Sequence, residues 1–345
     1  MAPNSTTTGS RYGRLAGGIR LALALASLAG TVVLAGLYAT RPVRAIAVTT
    51  WPLLFTLAPV VLVGLPSLSR RAPRRSWLLV LAWLAVLLGL SEEPGSLLRG
   101  VWGQSAREQR WRDARAEGRA LRVVSLNCYG GTLAAAEEAF TVEPDLILLQ
   151  ERPGVKELQT LGRRRGGWQV TGPGDCVILV RGRLEALAVR REDAVNVSLA
   201  RVWPAALRPA RALTVADVHV PLPALQPELW RPAAWRRSRE AWEDRAGLMR
   251  QVAGYVTREA SAGPLLVGGD FNAPGRDPLF RLLPPVVRDA FPSAGVGWPD
   301  TWSNGRPLSR IDQIWLSSEL QPQVLRMLPT RNSDHRMVVC DVVLR

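Results

Sequence analysis

Lysine is almost missing from this 345-residue chain: of its 44 basic residues, only Lys156 is not an arginine. Histidine is as scarce, with two copies at His219 and His335, and cysteine has three. Cys128, Cys176 and Cys340 stand far apart and match no metal-ligand spacing, which excludes a cysteine-built metal site. Each lies in or beside a strand-like run and reads as a buried thiol. One disulfide stays open if the domain lies outside the cytoplasm. Acidic residues are also in short supply, and the net charge is +15. That excess is divided: residues 1–106 hold ten Arg and two Glu, while residues 107–345 hold 34 basic and 27 acidic side chains. The second part is only mildly basic, which suits an anionic substrate or a membrane surface without choosing between them.

Charge is absent altogether from three apolar stretches near the N-terminus, at residues 21–40, 45–69 and 76–91. About 20 apolar residues cross a bilayer as a helix. The first two stretches are long enough, and the third reaches that length with its flanks, to residue 92. Pro52, Pro59 and Pro66 predict kinks in the second. The length of the first stretch, and the two that follow it, argue against a cleaved signal peptide. None carries an ionisable residue in mid-span, which excludes most transporter and channel chemistry. The arginines set an orientation. Arg11, Arg14 and Arg20 precede the first span, and Arg70, Arg71, Arg74 and Arg75 separate the second from the third, against only Arg41 and Arg44 between the first two. Positive-inside counting places residues 1–20 in the cytoplasm and, with three spans, the C-terminal part on the outer face of the plasma membrane; two spans would reverse that. Residues 93–119 mix charges of both signs and read as a solvated, helical linker to a domain at 120–345.

Within 120–345, apolar strand-like runs occur at 121–126, 145–150, 174–181, 212–219, 264–268, 311–316 and 337–343, with helical periodicity at 132–142 and 235–260. Strands separated by helices predict sheets covered by helices. Polar residues fall in a pattern: Asn127, Glu151, His219, Asp270, Asn272 and the pair Asp334-His335 stand at or just past strand ends, where side chains share a face on a rigid scaffold. Both histidines also stand close behind an Asp.

Six segments carry this pattern in order: SLN at 125–127, LLQER at 148–152, DVH at 217–219, GGDFNAP at 268–274, SRIDQIW at 309–315 and SDH at 333–335. Together they resemble the successive signatures of the endonuclease/exonuclease/phosphatase superfamily, over about 225 residues. The resemblance implies a four-layer α/β/β/α sandwich of two packed sheets and a metal-dependent attack of water on a phosphate ester. It implies that Glu151, with Asn127 beside it, holds Mg²⁺ or Mn²⁺, an oxygen-seeking cation that one or two carboxylates suffice to bind. Asp270 would orient and deprotonate the water, Asn272 would hold that water or a phosphoryl oxygen, and His335 would donate to the phosphoryl oxygen. Asp312 would fix the His335 tautomer and favour its charged form. Asp334 would assist at the metal or the leaving group, and His219 would contact the phosphate. Arg310 falls either at the substrate or in an ion pair with an acidic neighbour. Asp217 reads as a structural hydrogen-bonder. Cys128 and Tyr129 stand where some nuclease members place a further acidic ligand, which implies a looser or single cation site.

The substrate class is a phosphate ester, of nucleic acid or of a phospholipid headgroup, and no protein partner is inferable. The alternative from a different class is a silent phosphate- or nucleic-acid-binding module on the same scaffold. The Trp-rich, basic segment at 230–242 fits a headgroup or nucleic-acid surface, or a helix that packs its Trp residues inward.

Overall fold

The computed structural model describes residues 6–68, 73–172 and 174–345. Arg70 and Arg71, which carry part of the orientation argument, lie outside the described residues, as do Ser69 and residues 1–5. In chain order the strands are β1 (Ala120–Asn127), β2 (Leu146–Gln150), β3 (Gln169–Thr171), β4 (Val177–Val180), β5 (Gly182–Ala186), β6 (Val197–Pro204), β7 (Leu213–His219), β8 (Leu265–Asp270), β9 (Val287–Asp289), β10 (Asp312–Ser317), β11 (Leu320–Leu328) and β12 (Met337–Leu344). One six-stranded sheet has the order β11-β12-β1-β2-β4-β3 and the other β5-β6-β7-β8-β10-β9.

Each sheet contains one parallel pair, β1 with β2 and β7 with β8, among antiparallel neighbours. A parallel pair needs a crossover connection. A short helix at Leu133–Glu138 and a long one at Pro232–Glu259 lie in the two crossovers. The apolar run of β2 shows how the layers form. Leu146 and Leu148 pack toward the second sheet, against Leu266 and Ile314. Ile147 and Leu149, on the opposite face, pack with Ala135, Leu158 and Leu161 of the covering helices. Val218 and Val267 of the second sheet meet Met249 and Val252 of the long helix in the same way. Period-two alternation thus buries a continuous apolar run on both faces. The result is the four-layer α/β/β/α sandwich.

The N-terminal part is helical. Among the described residues one helical segment, Arg14–Thr40 within the helix Thr6–Thr40, is long and apolar enough to cross a membrane. Two bent helix pairs, Val43–Thr49 with Leu53–Ser67 and Arg74–Leu90 with Glu93–Val101, raise that number to three if each is one span. Bends of 76° and 70° separate their halves, the first at Trp51-Pro52. The helices pack through a small cluster of Leu34, Tyr38, Leu57, Leu79 and Trp83. Gly64 allows the closest approach: a Cβ there would stand 2.5 Å from the Trp83 ring. Outward, Leu62 and Leu78 are about two-thirds exposed, with Leu25, Val32, Leu54 and Leu88 more than half exposed. So large an outward apolar surface fits a lipid surround.

The solvated-linker expectation is corrected. Residues 93–119 are helical, at Glu93–Val101 and Gln104–Ala116, but they are docked. Trp111 and Ala114 pack against Ala120 and Val343, Arg122 lies over the Trp111 ring at 4.6 Å, and Arg99 donates to the Gly295 carbonyl at 2.8 Å. Apolar residues spaced among the charges dock the helix, and the charges cover the outside. Strands β3, β5, β6, β9 and β11 add to those foreseen. All three cysteines are buried free thiols.

Candidate active site

Three neighbouring strands of the second sheet deliver a row of chemistry to one end. Parallel pairing sets His219 opposite Asp270, and antiparallel pairing sets Asp270 opposite Asp312. Gly269 makes this close spacing feasible. Its φ is +134°, and a Cβ there would lie 2.0 Å from the Val218 carbonyl oxygen.

The first sheet supplies the facing groups. Asn127 ends β1, and Glu151 follows β2 in the left-handed region at φ 45°. The Asn127 amide donates from one nitrogen to Glu151 Oε1 at 3.0 Å and to Asp270 Oδ2 at 3.1 Å, so it stitches the two sheets together at the site. Its carbonyl accepts from the Tyr129 N–H at 2.9 Å, and the other Glu151 oxygen accepts from Gly130 N–H at 2.6 Å. Asn272, also left-handed at φ 48°, donates its backbone N–H to Asp270 Oδ1 at 2.9 Å and its amide to the Val220 carbonyl. Sparsely populated backbone at Glu151 and Asn272 marks positions that the fold over-determines.

Both histidines converge on Asp270. His335 Nδ1 lies 2.9 Å from Asp312 Oδ2 and its Nε2 lies 3.8 Å from Asp270 Oδ2. His219 Nδ1 meets the Asp175 carboxylate and its Nε2 lies 3.7 Å from the same Asp270 oxygen. Asp270, Asp312 and His335 are all buried. Burial, and next the Asp312 charge, push the Asp270 acid up to about 6 despite both histidines. Burial works against a charged His335, but the Asp312 carboxylate, its hydrogen bond and Asp270 overcome it and raise that imidazole to about 10. His219 is raised too: burial opposes its charge, and the Asp175 hydrogen bond and Asp270 prevail.

Asp270, Asp312 and His335 bring ligand atoms within 4.8 Å of one another and could hold a metal ion. Asp312 Oδ1 is buried with no hydrogen-bond partner, and two buried carboxylates stand side by side. A charged His335 has no lone pair to give, so the hard oxygen atoms available to a small divalent cation are those of the two carboxylates and of Glu151 across the cleft.

Asp334 stands at the rim. Its carboxylate lies 4.0 Å from His335 Nε2 and accepts from Trp302 Nε1 at 3.3 Å. Of the two readings of Arg310, the ion pair is found and the substrate contact is corrected: it is buried and pairs with Glu92 and Asp289, each at 2.7 Å, so its guanidinium is committed to carboxylates. Asp217 accepts from Gln150 and from Val177 N–H, as a structural group. The sequence reading missed Asp175, the partner of His219, and gave no role to the family-like segment Asp300-Thr301-Trp302, where the Thr301 hydroxyl accepts from the N–H groups of Ile311 and Asp312. Asp175 adjoins an apolar strand, the same signal that marked the other site residues.

Two buried carboxylates, two imidazoles and oxygen atoms that could hold a cation, at one end of a four-layer sandwich, are the kinds of group that phosphate-ester hydrolysis uses. The Endonuclease/Exonuclease/phosphatase family model matches residues 124–335, and the chain belongs to that family. Solved structures similar to it include an endonuclease/exonuclease/phosphatase from Bacteroides vulgatus (15% identity, 66% of this chain and 99% of that one, TM-score 0.48). The human Nocturnin catalytic domain with bound sulfate anion is another (20%, 66% and 95%, 0.47). Truncated TDP2 of Caenorhabditis elegans is a third (16%, 65% and 98%, 0.47). No curated protein sequence matches the chain.

Proposed function

We propose that the chain is a membrane-anchored phosphoesterase, dependent on Mg²⁺ or Mn²⁺, that hydrolyses a phosphodiester or phosphomonoester with water activated by Asp270. The observation that carries this reading is the meeting of Asn127, His219 and His335 on one buried oxygen, Asp270 Oδ2. Glu151 and Asn127 would hold the cation, whose chemistry is to neutralise charge on a phosphoryl oxygen. Asn127 fits that role once its carbonyl leaves the Tyr129 N–H.

Asp270 is held by the Asn272 N–H on Oδ1 and by the Asn127 amide on Oδ2, and the second lone pair of Oδ2, which faces the two imidazoles, would take a proton from water. Asp312 fixes His335 with Nε2 toward the cleft and keeps it charged, so Nε2–H donates to the phosphoryl oxygen as negative charge grows there. Asp175 orients His219 the same way, and its Nε2–H contacts the phosphate. Asn272 and Asp334 complete the walls on the Asp270 and His335 sides. The outward apolar surface of the N-terminal helices supports the anchor, and the arginine distribution supports a site facing away from the cytoplasm.

The test uses the full-length protein in detergent with bis(p-nitrophenyl) phosphate and p-nitrophenyl phosphate. Hydrolysis of at least one, stopped by EDTA and restored by Mg²⁺ or Mn²⁺, is the expected result. Phosphate binding without turnover of either ester would sink the reading in favour of a silent module. Cysteine labelling of intact cells, at an exposed position such as Ser318, reports the sidedness.

A further inference from the structure

Between the helical part and the sandwich lies a cavity of about 470 Å³ that none of the catalytic groups lines. Its walls come from the N-terminal helices and from two sandwich loops, at 274–276 just past Asn272 and at 307–310 just before Asp312. The Arg310–Glu92 ion pair contributes to the lining. Much of the wall is carbon, from Leu54, Leu88, Leu97 and Trp298 among others. Leu54 and Leu88 also contribute to the outward apolar surface of the helices, at 59% and 61% exposed, so the cavity adjoins the lipid-facing side.

Among the described residues, four buried polar atoms on cavity-lining side chains have no hydrogen-bond partner. They are Nε and Nη1 of Arg41, Nε1 of Trp51 and one carboxylate oxygen of Glu93. Arg41 follows the first helix, is only 9% exposed, and lies over the Tyr38 ring at 5.4 Å. Among the described residues no carboxylate reaches ion-pair distance of it, and Glu92 is taken by Arg310. The opposite electrostatic character belongs to Glu93 and Asp300. Burial, then the Glu93 and Glu92 charges, push the Asp300 acid up to about 7. The cavity therefore offers unsatisfied N–H donors of Arg41 and Trp51 together with the carboxylates of Glu93 and Asp300, neither of them in an ion pair among the described residues, and Arg276 also lines it. Buried groups of either sign are costly unless matched. A single molecule with a phosphate and a protonated amine matches both, and an apolar tail matches the wall.

We infer that this cavity binds a membrane phospholipid with an amine-bearing headgroup. Arg41 and Trp51 take its phosphate, Glu93 and Asp300 take its ammonium, and the acyl chains run along Leu54 and Leu88. Basic sites beside membrane helices bind headgroups on general electrostatic grounds; here the acidic groups select the amine. The bound lipid would brace the two loops that flank Asn272 and Asp312. This inference goes beyond the hydrolysis proposed above and does not depend on turnover.

The experiment is native mass spectrometry of the full-length protein with phosphatidylethanolamine, phosphatidylcholine and phosphatidylglycerol of matched chains, and with soluble O-phosphoethanolamine. Phosphatidylethanolamine should be retained about tenfold better than the other two lipids, a difference of about 1.4 kcal/mol. Phosphatidylcholine has no N–H to donate, and phosphatidylglycerol has no cation. Arg41→Gln should lower retention about tenfold, and Glu93→Gln should erase the preference over phosphatidylglycerol. Should Arg41→Gln fail to fold, Trp51→Phe removes one donor with little change of volume and should weaken retention as well. Equal retention of all three lipids by the unaltered protein, or no change in the variants that fold, overturns the inference. Binding of O-phosphoethanolamine as tight as that of the lipid overturns the membrane source.

Discussion

The same side chains serve opposite ends in the two halves of this chain. In the sandwich, Leu121, Leu146 and Leu148 are wholly buried between sheets. In the N-terminal helices, Leu62, Leu78 and Leu88 face outward. The difference lies in the backbone. A strand needs a neighbour for its hydrogen bonds, so sheets stack and hide their aliphatic faces, whereas a helix satisfies its own and can present leucine to lipid. Charge follows the reverse rule. The first apolar helix has no charged residue between Arg20 and Arg41, while the sandwich buries Asp270, Asp312 and Arg310. Two kinds of buried charge then separate: those fully matched by partners, as at Arg310, and those left under-matched, as at Asp270.

The largest effect should come from the under-matched kind. Asp270→Asn removes the proposed base and should lower hydrolysis by about 10²–10⁴-fold. It also removes a buried carboxylate that stands beside another, so the melting temperature should hold or rise. A variant that loses both activity and fold would show that Asp270 is a structural charge and erase the distinction.

Arg310→Met should act in the opposite sense. Glu92 and Asp289 would be left buried without a cation, at a cost of about 3–5 kcal/mol, measured as unfolding of the detergent-solubilised protein. Removing residues 1–92 takes away Glu92 and should destabilise the sandwich in the same direction. A stable, fully active fragment would show that the two halves are independent.

Much of the site was legible because it lies on continuous apolar strands. β1, β2, β7, β8, β10 and β12 are central, and their runs end at the residues that matter: Asn127, Glu151, His219 and Asp270. The edge strands β3, β5, β9 and β11 were hidden, and so was β6, which lies between β5 and β7. β6 (VSLARVWP) and β11 (LQPQVLRML) mix Arg, Gln and Pro into their runs, and β11 carries an irregularity between Pro322 and Val324. The docked linker was misread because Trp111 and Ala114 are two apolar positions among seven charged ones, too few to set a period. Arg310 was ambiguous because its partners, Glu92 and Asp289, are distant in sequence and meet it only in the fold.

pH sharpens the contrast between matched and under-matched groups. His335 is raised from an ordinary value near 6.5 to about 10, so its pairing with Asp312 stabilises the folded state fully below about 6.5 and is lost as pH rises through 10. If the charged imidazole donates to phosphate, the rate should fall along that same alkaline limb. Asp312→Asn removes the charge that holds the proton and should move the limb down by about 1–3 pH units. An unmoved limb would assign it to another group. On the acidic side, the rate should rise as the Asp270 site loses its proton near pH 6, and at lower pH with the cation bound, because a positive charge favours the carboxylate.

The smallest effect belongs to Asp175, which acts through His219. Asparagine keeps an oxygen that accepts from Nδ1–H and loses only the charge. Asp175→Asn should therefore lower kcat/KM by about tenfold or less, the worth of one hydrogen bond weakened but still formed. Asp175→Ala removes the acceptor and lets the ring turn, so it should cost more. If His219 contacts the phosphate and not the water, as proposed, the loss should fall on KM at least as much as on kcat. A loss confined to kcat, as large as that of Asp270→Asn, would make His219 rather than Asp270 the group that takes the proton.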